Sequence, residues 1–383
     1  MIHLIGIGND KGNITLNAFK AIKGADIIIN HDNVDLTFFD SEIKDKEVIS
    51  AIDLINGIDL ELEEDSDLNL DEVSDFSLLE RYIHENYIID LAISKSLESK
   101  EVVLIVSDDP NILGLANRFL QIKSKYDDIK YKIYPGVSSL SQSASYIGAP
   151  LEDFAFIDLT KPIMPLSELE LKVKNILEAN LILVIKNPVD DKREDGREAY
   201  EKLKEIVKEF NSKLLTAIVI GDDDYSIDDF EDIDDGRIDK DSIIFIGNKL
   251  SHRLDGSFIS SSDYIIEHDP LEWSIDFFEK YLRDESPKGL DYDCDYLPCH
   301  KELEACDFCY CPFYPCADAV TGGNWIKGKE VWSCQNCDWI HKEEPCKAIR
   351  EGLDDILENI DDLKEKHIEL LRLRRKCLLE TFK

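Results

Sequence analysis

The chain has 383 residues, with 44 Lys and Arg against 81 Asp and Glu and a formal charge of -37. That length supports two or three domains with a sizeable core, and so acidic a surface repels polyanions, which argues against a nucleic-acid partner. No apolar run approaches the roughly 18 residues of a membrane span, and the start MIHLIGIGNDKG reads as strand and turn rather than as a cleavable leader, so a cytoplasmic protein is expected.

Ile2 to Gly8 is an apolar run ending in a glycine-bearing turn, followed by a helical pattern from Leu16 to Lys23 and a second apolar run, Ile27 to Ile29. Strand, helix and strand in this order are the unit of a parallel sheet. The lone Gly6-x-Gly8 lacks the remaining glycine of a dinucleotide fingerprint. Ser50 to Ser77 is acidic and weakly patterned, as a solvated excursion would be. A helix from Phe76 to Ser99 leads to the strand Val102 to Val106, which ends at Ser107-Asp108-Asp109-Pro110. Strand ends of this kind carry ligands in open parallel sheets.

Gly114 to Ser124 reads as helix, Ile129 to Tyr134 as strand, and a further helix begins near Ser139. Between them Pro135 fixes one backbone angle and Gly136 permits an unusual one, so main-chain N–H groups and small hydroxyls can approach a flat, charged ligand. Taken alone, the pair is equally an ordinary tight turn into a serine-capped helix. Next come a helix from Leu166 to Asn180, the strand Leu181 to Ile185, the loop Lys186-Asn187-Pro188 and a helix from Glu198 to Phe210. The strands Thr216 to Gly221 and Ser242 to Gly247 follow, separated by the acidic run Asp222 to Asp235. The pattern predicts an α/β fold in two halves, residues 1–112 and 113–290, hinged near Asn111 to Arg118. Loops at Gly8, Asp109, Gly136 and Asn187 would wall the cleft.

All ten cysteines follow Asp293. Such clustering indicates a metal module in a reducing compartment rather than a disulfide framework. Within residues 291–346 the candidate ligands are Cys294, Cys299, Cys306, Cys309, Cys311, Cys316, Cys334 and Cys337, and two Cys-x-x-Cys knuckles about 25 residues apart could close one tetrahedral zinc site. One site or two both fit the count. Zinc is the expected metal, with an iron–sulfur cluster the alternative; a metal that only staples a small domain is the simplest role. After Pro345 a heptad stripe through Ile349, Leu353, Ile356, Ile360, Leu363, His367 and Leu370 predicts one amphipathic helix over 347–383, packed on the body or on a second subunit. A homodimer is expected. His367 reads as a core histidine, and the basic cluster Arg372, Arg374, Arg375 and Lys376 as an intramolecular dock.

With these loops in hand, residues 1–260 resemble the tetrapyrrole (corrin/porphyrin) methylase family. The matching pieces are Gly6-Ile7-Gly8 with Thr15-Leu16 and Ala25-Asp26, Ser107 with Asp109-Pro110 and Gly114-Leu115-Ala116, and Pro135-Gly136-Val137-Ser138-Ser139. Within it the sequence is most similar to the precorrin-3B C17-methyltransferases of cobalamin biosynthesis, through Gly148-Ala149-Pro150-Leu151 with Asp153-Phe154-Ala155, Asn187-Pro188 with Lys192-Arg193, and Ile246-Gly247-Asn248 with Ser251. Diphthine synthases share the opening residues without the Asn-Pro and Ile-Gly-Asn pieces. The cysteine segment resembles a small metal-binding domain occasionally fused to such enzymes, through Cys309-Tyr310-Cys311-Pro312-Phe313-Tyr314-Pro315-Cys316 and Trp332-Ser333-Cys334.

The resemblance implies two αβα subdomains with S-adenosylmethionine between them. Gly8 and Asp10 would shape the first loop, Asp109, Pro110 and Gly114 the second, Pro135, Gly136, Val137 and Ser138 the wall, and Asn187 with Pro188 the adenine side. It further implies methylation at C17 of precorrin-3B or its cobalt form, with ring contraction. A corrinoid carrier without turnover, and a sibling methylase acting at another ring position, are the alternatives. Methyl transfer needs alignment and exclusion of water more than an acid or base, and no catalytic residue is assigned. The chain departs from the family's pattern where the first loop is one residue short at Gly8-Asn9-Asp10. It departs again where Asp108 and Asn111 replace glycines around Asp-Pro, where Lys186 replaces the tyrosine before Asn-Pro, and where Ser260-Ser261-Ser262 stands for Thr-Pro-Arg-Gly.

Overall fold

A computed structural model of the chain describes residues 1–8, 12–32, 34–51, 76–149, 151–159, 165–189, 196–221, 224–260, 269–327, 329 and 331–381. Most of the acidic stretch at 50–77 lies outside them. The chain divides into two compact units, Met1–Ile246 with Arg253–Ile259, and Gly247–His252 with Ser260–Lys383. Among the described residues no helix is long and apolar enough to cross a membrane.

The first unit holds two five-stranded sheets. In the first, β1 (Ile2–Gly6), β2 (Ile27–Asn30), β3 (Glu47–Ser50), β4 (Val102–Val106) and β5 (Tyr131–Tyr134) run parallel in the order β3-β2-β4-β1-β5. The runs of β2 and β4 are apolar at almost every position because both faces are covered, whereas the edge strands β3 and β5 are part-exposed and carry Glu47 and Lys132. Ile2, Leu4, Ile27, Ile29, Val102 and Leu104 pack with Ile88, Ile89 and Ile93 of one helix and Phe119 of another. Ile5, Ile28, Val103 and Ile105 point the other way, onto Ala18, Ile22 and Phe39. The helices are α1 (Leu16–Gly24), the short α2 (Asp40–Ile43), α3 (Phe76–Leu97) and α4 (Ala116–Lys123).

The second sheet has the order β6-β7-β10-β8-β9, with β6 (Phe154–Asp158), β7 (Ile182–Lys186), β8 (Leu215–Gly221), β9 (Asp224–Asp229) and β10 (Ile243–Ile246). Only β6 and β7 are parallel; β10 runs antiparallel to β7 and β8, and β9 antiparallel to β8. One face packs against α6 (Leu166–Glu178) and α7 (Glu198–Asn211) through Val173, Tyr200, Leu203 and Val207. The other packs against Leu140, Ala144 and Ile147 of α5 (Ser139–Ile147). On α7, Lys204 Nζ lies 2.6 Å from Asp235 Oδ2 and the Tyr200 hydroxyl donates to Asp235 Oδ1 at 2.7 Å. Burial raises the Asp235 pKa, but the bonds from Lys204 and Tyr200 outweigh it and hold it below the carboxylate range. A depressed carboxylate stabilises the fold above its unfolded pKa and loses that contribution as pH falls through its folded one. Lys204→Met should therefore cost about 1 kcal/mol or less at neutral pH, a difference that closes on acidification in thermal melts.

The second unit is organised round one core in which α8 (Glu272–Leu282) contributes Phe277, Phe278 and Tyr281, and the cysteine segment Phe308, Phe313, Trp332 and Trp339. The predicted single C-terminal helix is three: α9 (Glu343–Leu353), α10 (Asp362–Glu365) and α11 (His367–Thr381). The stripe folds back on itself, so Ile349 and Leu353 share a core with Leu370 and Leu373. Asp362 fixes the bend, its Oδ2 accepting the N–H groups of Glu358 at 2.7 Å and Asn359 at 3.0 Å. The basic cluster docks within this unit: Arg372 donates to the carbonyls of Lys249 and Ser251, and buried Arg374 to Asp318 and Thr321.

Candidate active site and thiol centre

Loops at the strand ends of the first unit are knotted together. Gly8 and Asp108 form an isolated antiparallel bridge, the Gly8 N–H donating to the Asp108 carbonyl at 3.2 Å. Ile14 and Gly136 form a second bridge, beside which the Val137 N–H donates to the Asn13 carbonyl at 3.2 Å. A Cβ at Gly136 would fall on the Asp108 carbonyl oxygen and lie 2.6 Å from the Gly8 nitrogen, so only glycine fits. Glycine is thus required at 136 by close main-chain approach and not by the unusual backbone angle expected from the sequence, since Gly136 is not among the glycines with positive φ.

Asp109 is buried and shapes its own loop, Oδ1 accepting the Asn111 N–H at 2.7 Å and Nδ2 at 3.1 Å. The Pro110 carbonyl accepts the Ala116 N–H at 2.9 Å, starting α4, and Gly114 lies tight against the main chain of Asp109 and Pro110. Past β5, Pro135 and Val137 are exposed, whereas Ser138 is buried as the cap of α5, its Oγ accepting the Ser141 N–H at 3.2 Å. At the end of β7, Asn187 takes a left-handed φ of 51° and donates from Nδ2 to Asp158 Oδ1 at 3.1 Å, with buried Pro188 next. The structure therefore draws Gly8, Asp109, Pro110, Gly114 and Gly136 into one knot; Asp10 lies outside the described residues.

Three residues that sequence reasoning did not assign to the site complete it. Asp108, with φ 58°, places Oδ1 2.7 Å from the Ser139 N–H at the start of α5 and Oδ2 2.5 Å from the Ser139 hydroxyl. Lys186 at the end of β7 brings Nζ 2.6 Å from the same Oδ2 and 3.0 Å from Ser139 Oγ. Asp108 and Lys186 are two of the departures noted above, and here they form one ion pair. Their coincidence was the available signal.

In the second unit the thiols sort into two quartets by which of them act electrostatically on one another. Cys309 feels Cys306, Cys294 and Cys299, whereas Cys311 feels Cys316, Cys334 and Cys337. The two Cys-x-x-Cys knuckles therefore stand in different quartets. Burial first, then the neighbouring thiols, push Cys309 up to about 11 and Cys334 up to about 12 and hold Cys311 well above the ordinary range. Among the described residues no three His, Cys, Asp or Glu side chains stand ready to hold a single metal ion. Cys309 of the first quartet and Cys311, Cys316, Cys334 and Cys337 of the second line one cavity of about 310 Å³, with His300, His341 and Trp332 on its wall. His341 stacks on His300 at 4.1 Å, and burial followed by the charge of His300 lowers it to about 4.

Residues 1–221 match the family described as Tetrapyrrole (Corrin/Porphyrin) Methylases. The chain belongs to the tetrapyrrole methylase family. A protein of Methanothermobacter thermautotrophicus named probable cobalt-factor III C(17)-methyltransferase is 35% identical to this methylase over 380 residues, 99% of each chain. Its Salmonella typhimurium namesake is 24% identical over 275 residues, 70% of this chain and all of that one. The solved structure of the methyltransferase CobJ superposes with a TM-score of 0.51 at 17% identity, covering 68% of this methylase and 99% of that chain, which establishes a common fold. Residues 287–364 match a second family, described as Cysteine-rich small domain. The α/β fold and the methyltransferase class implied by the loops stand.

Proposed function

We propose that this methylase transfers the methyl group of S-adenosylmethionine to C17 of a cobalt-containing corrinoid, the cobalt-factor III class of substrate, in cobalamin biosynthesis. The observation that carries this reading is the 35% identity to a protein so named, which runs through both the methylase region and the cysteine segment. Bound S-adenosylmethionine supplies an activated methyl group on a sulfonium, and an electron-rich ring carbon displaces it with S-adenosylhomocysteine leaving. The chain's own contribution is alignment in a dry site. The knot fits a zwitterionic nucleoside, since it joins glycine-tight main chain from Gly8 and Gly136, the carboxylate of Asp109 and the exposed apolar wall of Val137. Gly8, Asp10, Asp109, Pro110, Gly114, Pro135 to Val137, Asn187 and Pro188 are the proposed donor residues, with Ser138 acting through the cap of α5.

Calorimetric titration of the anaerobically purified chain with S-adenosylmethionine tests the donor site. Saturable binding is expected, weakened on the order of a hundredfold in Asp109→Ala, which releases the Asn111 turn. No binding at millimolar donor would sink the methyltransferase reading in favour of a corrinoid carrier. Incubation with cobalt-factor III and with precorrin-3B, followed by mass spectrometry for one added methyl, then decides the substrate.

The two thiol quartets are read as metal centres. Buried, mutually repelling thiolates suit a soft or borderline cation, which would remove the cost of ionising them. Zinc is the first reading, as a structural staple. An iron–sulfur cluster, which four thiolates can also hold, is the alternative. Metal content and the visible spectrum of the same sample separate the two, a colourless zinc protein against a brown iron protein.

A further inference from the structure

The chemistry set out above assigns nothing to the ion pair of Lys186 and Asp108, yet it stands at the middle of the knot. Asp108 is 8% exposed. Its main chain takes the left-handed conformation, which a residue with a Cβ adopts at a cost and keeps only where its surroundings hold it. Here they do so from two sides. The carbonyl is clasped between Gly6 and Gly136 and accepts the Gly8 N–H. The carboxylate accepts the N–H groups of Asp109 at 3.0 Å and Ser139 at 2.7 Å, as well as the Ser139 hydroxyl. A carboxylate at the start of α5 is favoured by the helix dipole, but one so buried needs a counter-charge. Lys186 supplies it from the second sheet, and its Nζ also binds Ser139 Oγ. The loops bearing Gly8, Asp109 and Gly136 are therefore all tied to one residue, Asp108, and that residue's charge is balanced by one lysine.

We propose that Lys186 is a positioning residue for the methyl-donor site, acting through Asp108 to hold the loops of Gly8, Asp109 and Gly136 in the arrangement that binds the donor. The inference rests on the donor-site reading above. Lys186 touches no reacting atom in this role; it sets donor affinity and not the chemistry of the acceptor ring.

The test titrates S-adenosylmethionine into the full chain as wild type, Lys186→Met, Lys186→Arg, Asp108→Asn and the Asp108→Asn, Lys186→Met double variant. Lys204→Met serves as control, because it removes an ion pair of the same 2.6 Å length elsewhere in the same unit. Lys186→Met should weaken the donor about tenfold or more, since small misplacements of a binding loop are costly. Lys186→Arg should recover most of that loss, the double variant should be no weaker than the worse single one, and Lys204→Met should bind as wild type. In turnover the donor KM should rise while the KM for the corrinoid stays put. Unchanged donor affinity in Lys186→Met overturns the inference, as does an equal loss in Lys204→Met or a loss confined to the corrinoid. A wild-type chain that fails to bind the donor overturns the functional reading itself, so the two failures are distinguishable.

Discussion

Replacing Gly136 by alanine is expected to abolish S-adenosylmethionine binding and to lower the melting temperature. The added Cβ meets main chain on three sides: the Asp108 carbonyl, the Gly8 nitrogen at 2.6 Å and the Gly6 carbonyl carbon at 2.9 Å. None of these is the movable tip of a side chain, so the loops themselves must part. Overpacking of this kind costs about 1–3 kcal/mol even where side chains can adjust, and here the whole displacement falls on the donor loops. Val137→Ala, one residue on and exposed, should melt as the wild type does. Calorimetric titration with a parallel thermal melt checks both. Donor binding retained in Gly136→Ala would show that the knot is not part of the site.

The second large effect is expected in the cysteine segment. Cys311→Ser or Cys334→Ser should empty one metal centre and loosen the core built from Phe308, Phe313, Trp332 and Trp339, whereas Cys346→Ser and Cys377→Ser should leave metal content unchanged. Metal binding supplies on the order of 10 kcal/mol of folding free energy in small thiolate domains. That is comparable to the whole margin, about 5–15 kcal/mol, by which most domains are stable. Cys346 and Cys377 are buried as deeply, but Cys377 has no thiol among its electrostatic neighbours, and Cys346, on which Cys306 acts, has its thiol donating to the Ile340 carbonyl, a bond serine can reproduce. Metal analysis by mass spectrometry and melts with and without chelator provide the readout. Equal metal in all four variants would overturn the division into quartets.

Much of this was legible from residues alone, for reasons that can be named. The runs Val102 to Val106, Ile182 to Ile185 and Ile243 to Ile246 announce themselves because strands covered on both faces must be apolar at every position. Pro135-Gly136 and Asp109-Pro110 were legible because tight main-chain approaches demand particular residues. What was missed depends on tertiary pairing. Glu47–Ser50 and Asp224–Asp229 are edge strands, with too little burial to impose an apolar pattern. The C-terminal heptad stripe says that Ile349 and Leu370 need an apolar partner, and a helix folded back on itself answers that as well as a continuous one docked elsewhere. Lys186 and Asp108 lie 78 residues apart, and no local rule joins them. The grouping of thiols is equally non-local, since spacing shows which cysteines are neighbours along the chain and not which meet across it.

The acidic composition of β9 has a consequence for how the molecule behaves among its own copies. A sheet's outermost strand exposes a row of unused donors and acceptors onto which another chain can add itself. Here that strand reads Asp-Tyr-Ser-Ile-Asp-Asp, so an incoming backbone would have to bring its own groups against three carboxylates in six residues. Repulsion thus guards this edge, together with Arg253, whose Nη1 occupies the Ile227 carbonyl at 3.2 Å, so β9 is poorly suited to accept an added strand.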